Sequence, residues 1–253
     1  MLIYICDDQP EAILSAIYDA WADPTPNRDI RLEVGWQGQQ ELFCEYRSAR
    51  VDMEKAGKVA ETIERKLGMH VWEDVRYALM ADECDKAQAV FSFLRTAFKE
   101  GSAVRRQLAR PEVMRVMELG RMVSRERHLL LGFVRFADAA DGVLVSQIEP
   151  KHRQVPLLAP HFAERLNTER FILYDKKRKE AAVYSPEFGW YLTTGEASGI
   201  EDMIKKSETD GYGSLWKIFF ESITIEQRYN PRCQRNLLPL RFRPQMTEFR
   251  IDR

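Results

Sequence analysis

The sequence predicts an α+β fold, and three observations carry that reading. The later half alternates apolar and polar residues about tight-turn signals, the middle repeats apolar residues at three- and four-residue steps, and the opening is a short apolar run followed by a helical pattern. The expected architecture is a small N-terminal strand-helix-strand unit, a helical middle layer, and a C-terminal antiparallel sheet with inserted and flanking helices. Of the 253 residues, 1–84 are expected as an N-terminal α/β and helical region and 85–253 as a C-terminal α+β domain.

Leu2 to Cys6 is an apolar run of the kind a buried strand shows, and Asp7 and Asp8 stand where the N-caps of the next helix belong. That helix runs through Ala12, Ile13, Ala16, Ile17 and Ala20; a turn with Pro24 and Pro26 then leads to a second strand, Ile30 to Val34. An acid pair after a strand is similar to that of phosphoacceptor receiver domains. The course downstream turns helical instead of alternating β and α, so both aspartates are read as caps. From Asp52, the residues Met53, Ala56, Val59, Ala60, Ile63 and Leu67 trace one helix face, stopped by Gly68. Helices over Trp72 to Met80 and Ala87 to Phe98 come next, the latter ended by Gly101, and Pro111 opens a long helix to about Leu131.

Past Gly132 the period drops to two. Phe133 to Ala137 and Val143 to Ile148 have the pattern of a hairpin about Asp141-Gly142. A helix from Leu157 to Leu166 follows, then strands Phe171 to Asp175 and Ala181 to Tyr184 about the polar turn KKRKE, with a fifth at Trp190 to Thr193. GEASGIEDMIKKSETDGYG reads as a loop with a short helix. In the helix Leu215 to Ile223, the residues Leu215, Trp216, Phe219 and Phe220 read as a core-facing stripe. The tail RYNPRCQRNLLPLRFRPQ has apolar anchors at Leu237, Leu238, Leu240 and Phe242 and is expected to dock on the sheet.

A hydrophobic fraction of 45% with 30% charged residues excludes disordered and fibrous classes. The net charge of -1 conceals an asymmetry. Asp7, Asp8, Glu11, Asp19, Asp23 and Asp29 open the chain against Arg28 alone, whereas Arg228, Arg232, Arg235, Arg241 and Arg243 follow one another with no acid between them. Arg105, Arg106, Arg110, Arg115, Arg121, Arg125 and Arg127 make the long middle helix and its approach basic, as a solvated face or as a phosphate track. Cys6, Cys44, Cys84 and Cys233 are far apart with no CxxC pair, so they read as reduced buried thiols, and neither a metal nor a cofactor is expected. MLIYICDDQP lacks the basic flank and cleavage site of a signal peptide, and no apolar run reaches the length of a membrane span; the expected location is cytoplasmic.

The blocks HLLLGFVRF, EPKHRQVPLLAPHFAER, FILYDKKRKEAAVY, SLWKIFFESITIEQRYNP and LPLRFRPQMTE, in this order and spacing, resemble the bacterial family labelled "probable DNA metabolism protein", whose C-terminal portion is a domain of unknown function. The likeness runs roughly from Ala81 to Glu248, and the opening strand-helix and EKAGKVAETIERKL look like the family's N-terminal part. The resemblance implies work in DNA repair or modification alongside a radical-SAM protein; related chains are fused to a uracil-DNA-glycosylase-like region. This chain has neither the three-cysteine cluster of an iron-sulfur centre nor a recognisable glycosylase motif, so it looks like the companion protein.

Several residues could carry chemistry. His161 and Arg165 stand one helical turn apart and share a face. Asp175 ends a strand three residues before Arg178, where a tight turn could bring both toward that helix, and His128 closes the basic helix just before Arg135. Converged, they would offer a histidine for proton transfer, a carboxylate to orient it and arginines for a phosphate. Each also has a plain structural reading. His161 between Pro160 and Phe162 suits a half-buried side chain, Asp175 with Arg178 a turn-stabilising ion pair, and Arg135 a sheet edge. Glu149 before Pro150 either caps a turn or activates a water, while Arg228 and Asn230 either anchor a loop or touch a phosphate.

Three functions are carried forward. The first is a DNA repair or modification accessory that binds DNA through arginines and works with the radical-SAM partner. The second is a protein-protein adaptor for that partner without DNA contact. The third is a hydrolase of a damaged base or nucleotide using His161 with Asp175 or Glu149.

Overall fold

A computed structural model describes residues 1–24, 29–36, 38, 41–139, 142–195, 198–207, 211–228 and 230–249. The chain divides into two compact units, residues 1–124 and 125–253.

In the first unit, β1 (Leu2–Cys6) is the centre of a parallel three-stranded sheet, with β2 (Ile30–Val34) on one side and β3 (Glu45–Ser48) on the other. Leu2, Ile3, Tyr4 and Cys6 are buried, as a run apolar on both faces requires. Helix α1 (Pro10–Ala22) lies between β1 and β2 in the chain, with Pro10 at its start. The capping expectation for Asp7 and Asp8 is corrected here. Gln9 holds the N-cap position with no side-chain cap, and the Asp8 carboxylate pairs instead with the buried ammonium of Lys86, which also donates to the Ala81 carbonyl at 2.6 Å. The lysine, stranded in an apolar interior, needs that partner more than the helix end needs a cap.

Helix α2 (Met53–Leu67) follows the sequence closely. Asp52 Oδ1 accepts from the amides of Glu54 and Lys55, and Gly68 ends the helix at φ 90°, a backbone a side chain rarely tolerates. Helices α3 (Met69–Leu79) and α4 (Lys86–Glu100) complete the layer, and Gln88 of α4 accepts the β2 amide of Leu32 at 2.9 Å. Helix α5 (Pro111–Phe133) passes from one unit into the other.

The second unit is built on a five-stranded sheet in the order β4 (Ala137–Asp138), β5 (Val143–Ile148), β6 (Arg170–Asp175), β7 (Glu180–Ser185), β8 (Gly189–Thr194). The expected all-antiparallel pairing is corrected at one place: β5 and β6 run parallel, joined by α6 (Val155–Arg165) as a β-α-β crossover. The strand expected at Phe133 to Ala137 shrinks to β4, because α5 continues through Phe133; Asp141 of the expected turn lies outside the described residues.

The sheet is covered on both faces. Val155, Leu158, Phe162, Phe171, Leu173 and Phe242 pack on one face, and α7 (Ser198–Ser207) brings Ile204 against Val145, Ile172 and Tyr174 on the other. That two-sided cover accounts for the run of buried residues along β6. The tail docks through Phe242, which is buried, with Leu238 packed against the same core and Gln147 donating to Gln245 at 3.2 Å; Leu237 and Leu240, expected as further anchors, are instead 68% and 58% exposed.

The stripe of α8 (Gly211–Ile223) does not face a core. Leu215 is 62% exposed and Phe219 51%, and what holds the helix is Phe220 against Phe249 and Trp216 Nε1 donating to Glu248. A short segment has reached α8 where a core was expected, and it covers only part of the stripe. Helix α9 (Pro231–Leu237) follows.

Candidate functional site

A densely hydrogen-bonded segment of the second unit is the loop Glu149 to Gln154 at the carboxyl end of the parallel β5–β6 pair. Helix α5 places Glu126 beneath it, 3% exposed. One carboxylate oxygen accepts from the Lys151 amide at 2.9 Å and pairs with Arg241 at 2.9 Å. The other accepts from the His152 amide at 2.8 Å and the Gln154 side chain at 3.2 Å. A buried carboxylate so satisfied fixes the loop as firmly as a strand pairing would.

Two ion pairs tie the loop to the β6–β7 hairpin. Arg153 grips Glu180 through Nε and Nη2, the closest contact being 2.5 Å. Asp175, fully buried, accepts the Lys177 amide at 2.9 Å and the Arg178 amide at 3.2 Å on Oδ1, while Oδ2 takes the Arg178 guanidinium at 3.1 Å. Arg178 also donates to the carbonyls of Pro150 and Lys151. Burial pushes the Asp175 carboxyl up from the usual carboxylate value, and Arg178 with the two amides pulls it partly back.

The consequence for charge is direct. Glu126, Asp175 and Glu180 are the buried acids at this end of the sheet, and arginines take all three. The lysines of the turn point outward: Lys176 and Lys179 are exposed with no acidic partner among the described residues, and Lys177 and Lys151 are exposed beside them. Lys176 is held in place by its amide donating to the Ile148 carbonyl at 3.1 Å, and Lys179 sits at φ 51° to close the turn.

The residues singled out in the sequence are distributed as follows. Asp175 and Arg178 are joined, as an ion pair within the turn. His161 and Arg165 lie on the second half of α6, which runs back toward the start of β6, whereas Asp175 ends β6. At about 1.5 Å per residue, His161 stands about 9 Å and Arg165 about 15 Å along the helix axis from the start of α6, which lies at the Asp175 end. His161 is half-buried with its ring edge-on to Phe162 at 5.2 Å, and among the described residues no hydrogen bond joins it to Asp175 or Glu149. Arg165 is exposed and unpaired among the described residues.

Glu149 is exposed and borders, with Arg241, Phe242 and Gln245, a cavity of about 10 Å³, room for about one water. Arg135 is consumed by Glu248 at 2.8 Å, by the Gly132 carbonyl and by the Trp216 ring. His128 is exposed on α5, and Arg228 is exposed on a short 3₁₀ turn. Asn230 caps α9 by accepting the Cys233 amide at 3.0 Å. Among the described residues no cluster of His, Cys, Asp and Glu could hold a metal ion, and no helix is long and apolar enough to cross a membrane.

The lysine turn was visible in the sequence only as polar punctuation between strands. The signal that could have found it is the run of four cations in so short a turn, where only one can fold back onto a single neighbouring carboxylate.

Fold and site together define an α+β protein whose mixed sheet carries a rigid, cation-bearing loop and hairpin at one end. Residues 84–248 match the model of a family described as Domain of unknown function (DUF4130), and the chain belongs to that family. No curated protein matches the chain.

Proposed function

We propose that this protein is a DNA-metabolism accessory that seats a DNA phosphate backbone on the lysine turn at the carboxyl end of β5 and β6. The supporting observation is the division of charge at that end. Its buried acids are held by arginines, so Lys176 and Lys179 face solvent with no partner among the described residues. A rigid platform with outward ammonium groups suits contacts that position a backbone without reading its bases. The radical-SAM partner implied by the resemblance supplies the chemistry in this account, and Arg165, Arg228 and His128 are exposed elsewhere on the unit. Binding of a short duplex measured across a salt series tests the reading. Affinity should fall steeply with salt, in proportion to the phosphates neutralised. Undetectable binding to single- and double-stranded DNA at low salt contradicts it.

A second reading, the adaptor, is favoured by the outward apolar residues of α8, where Leu215, Ile218, Phe219 and Ile223 are each more than half exposed. Leu215→Ser with Phe219→Ser should abolish co-purification with the radical-SAM partner while leaving DNA binding intact. Loss of DNA binding with the partner retained would assign α8 to the first reading.

A further inference from the structure

The first unit holds a cleft of about 670 Å³, within the range of small-molecule sites. Its floor is one face of α4, with Gln88, Ser92, Arg95, Thr96 and Lys99, and its wall is the first turn and a half of α5, including Glu112 and Arg115.

The charges of this cleft are unevenly satisfied. Arg115 grips Asp85 through two hydrogen bonds of 2.7 and 2.8 Å and holds that carboxyl below the usual carboxylate range. Glu100 is taken the same way by Arg110, at 2.8 and 2.7 Å. Arg95 and Lys99 have no acidic partner among the described residues, although they are one helical turn apart on the same face, where like charges repel. Arg95 lies over the Phe91 ring, 5.8 Å from its centre. An anion between the two would relieve that repulsion, and the guanidinium fork suits a phosphoryl group.

The hydrogen-bonding groups beside the cations add to the requirement. Gln88 donates to Ser92 Oγ at 3.0 Å, so the Ser92 hydroxyl keeps its own hydrogen for a ligand. Glu112 accepts only the Thr96 hydroxyl, at 3.1 Å, among the described residues, which leaves acceptor capacity beside the cations. Among the described residues no aromatic side chain lines the cleft, so none of them stacks on a base there.

We infer that this cleft binds a sugar phosphate, free or within a mononucleotide, with the phosphoryl group on Arg95 and Lys99 and the sugar hydroxyls on Ser92 and Glu112. The site is separate from the lysine turn and does not depend on it.

Calorimetric titration of the full chain with ribose 5-phosphate, thymidine 5′-monophosphate, ribose and inorganic phosphate tests this. At least one of the two sugar phosphates should saturate with a Kd near or below about 1 mM, roughly tenfold tighter than inorganic phosphate or ribose; the tighter of the two names the source. Arg95→Ala with Lys99→Ala should weaken it roughly tenfold or more, and Glu112→Gln should weaken the sugar phosphate but not inorganic phosphate. Both cations are exposed, so the urea midpoint of the double variant should stay unchanged; Lys99→Ala alone serves if it does not. Lys176→Ala should leave the titration unaltered, which separates this site from the DNA reading. Failure of both sugar phosphates to saturate, equal affinity for inorganic phosphate, or undiminished binding by the cation variants overturns the inference.

Discussion

Arg178 turns back out of the lysine run to meet Asp175, its Nη1 3.1 Å from Oδ2, while its amide donates to Oδ1 of the same carboxylate at 3.2 Å. Four successive cations compete for that buried acid, and the one with a planar fork takes it. The guanidinium can bond the carboxylate and the Pro150 and Lys151 carbonyls together, which a single ammonium cannot match. Lys176 and Lys179 are left outside as a result, and the proposed DNA contact follows from that sorting.

The Asp175 carboxyl supplies a pH signature. Its burial raises the folded value above the ordinary 3.8, so the native state holds the proton more tightly than the unfolded chain. Its contribution to stability is therefore greatest at low pH and falls as pH rises from 3.8 through the folded value. Urea unfolding of the native protein and of Asp175→Asn at a series of pH values should show their stability difference falling over that window and flattening above it. A difference that grows with pH would mean that Arg178 outweighs burial.

Glu126 should matter more to stability than an ordinary surface acid. Glu126→Ala strips the loop of acceptors for two amides and the Gln154 side chain and leaves Arg241 unpaired. The expected loss is about 3 kcal/mol, the usual scale for removing one partner of a buried charged network. A change below about 0.5 kcal/mol, as for an exposed surface site, would show that the loop is held without it.

Lys179 separates charge from fold. At φ 51° a glycine is at ease where lysine is strained, so Lys179→Gly should raise stability by up to about 1 kcal/mol while removing a DNA contact. Weaker DNA binding in a more stable variant cannot be ascribed to unfolding. Unchanged binding would remove Lys179 from the interface.

The cysteines should differ sharply in reactivity. Burial beside Asp7 pushes the Cys6 thiol up to about 12, whereas Cys84 and Cys233 are exposed. A thiol reagent at neutral pH should label Cys84 and Cys233 in the native protein and Cys6 only after unfolding. Native labelling of Cys6 would show that β1 opens readily. The sequence expectation that all four thiols are buried holds for Cys6; Cys44 is partly covered.

Elements whose local pattern matches their tertiary role were legible from sequence. Asp52 and Gly68 bracket α2 because cap chemistry is local, and Pro111 opens α5 for the same reason. The strand β3 was not legible: Glu45, Arg47 and Ser48 are exposed and only Tyr46 is partly covered, so no alternation marks it. The parallel β5–β6 pairing was missed although a helix between two strands is its signature, since the neighbouring hairpins drew the whole sheet toward an antiparallel reading. The α8 stripe shows a limit of periodicity, which reveals that a face is apolar but not what covers it. At the candidate site, Asp175 with Arg178 was legible because three residues about a turn suffice to bring them together. Glu126, Arg153 and Glu180 were not, because their partners lie 25 or more residues away along the chain.

The most direct test is the salt dependence of duplex DNA binding by the native protein and by Lys176→Ala/Lys179→Gly, the stability of both being checked by urea unfolding. Removing two phosphate contacts should flatten the slope of log affinity against log salt by about 2 and weaken binding at low salt. An unchanged slope and affinity in the folded double variant would contradict the account, because the cations left outward by Asp175 and Arg178 would then not meet DNA.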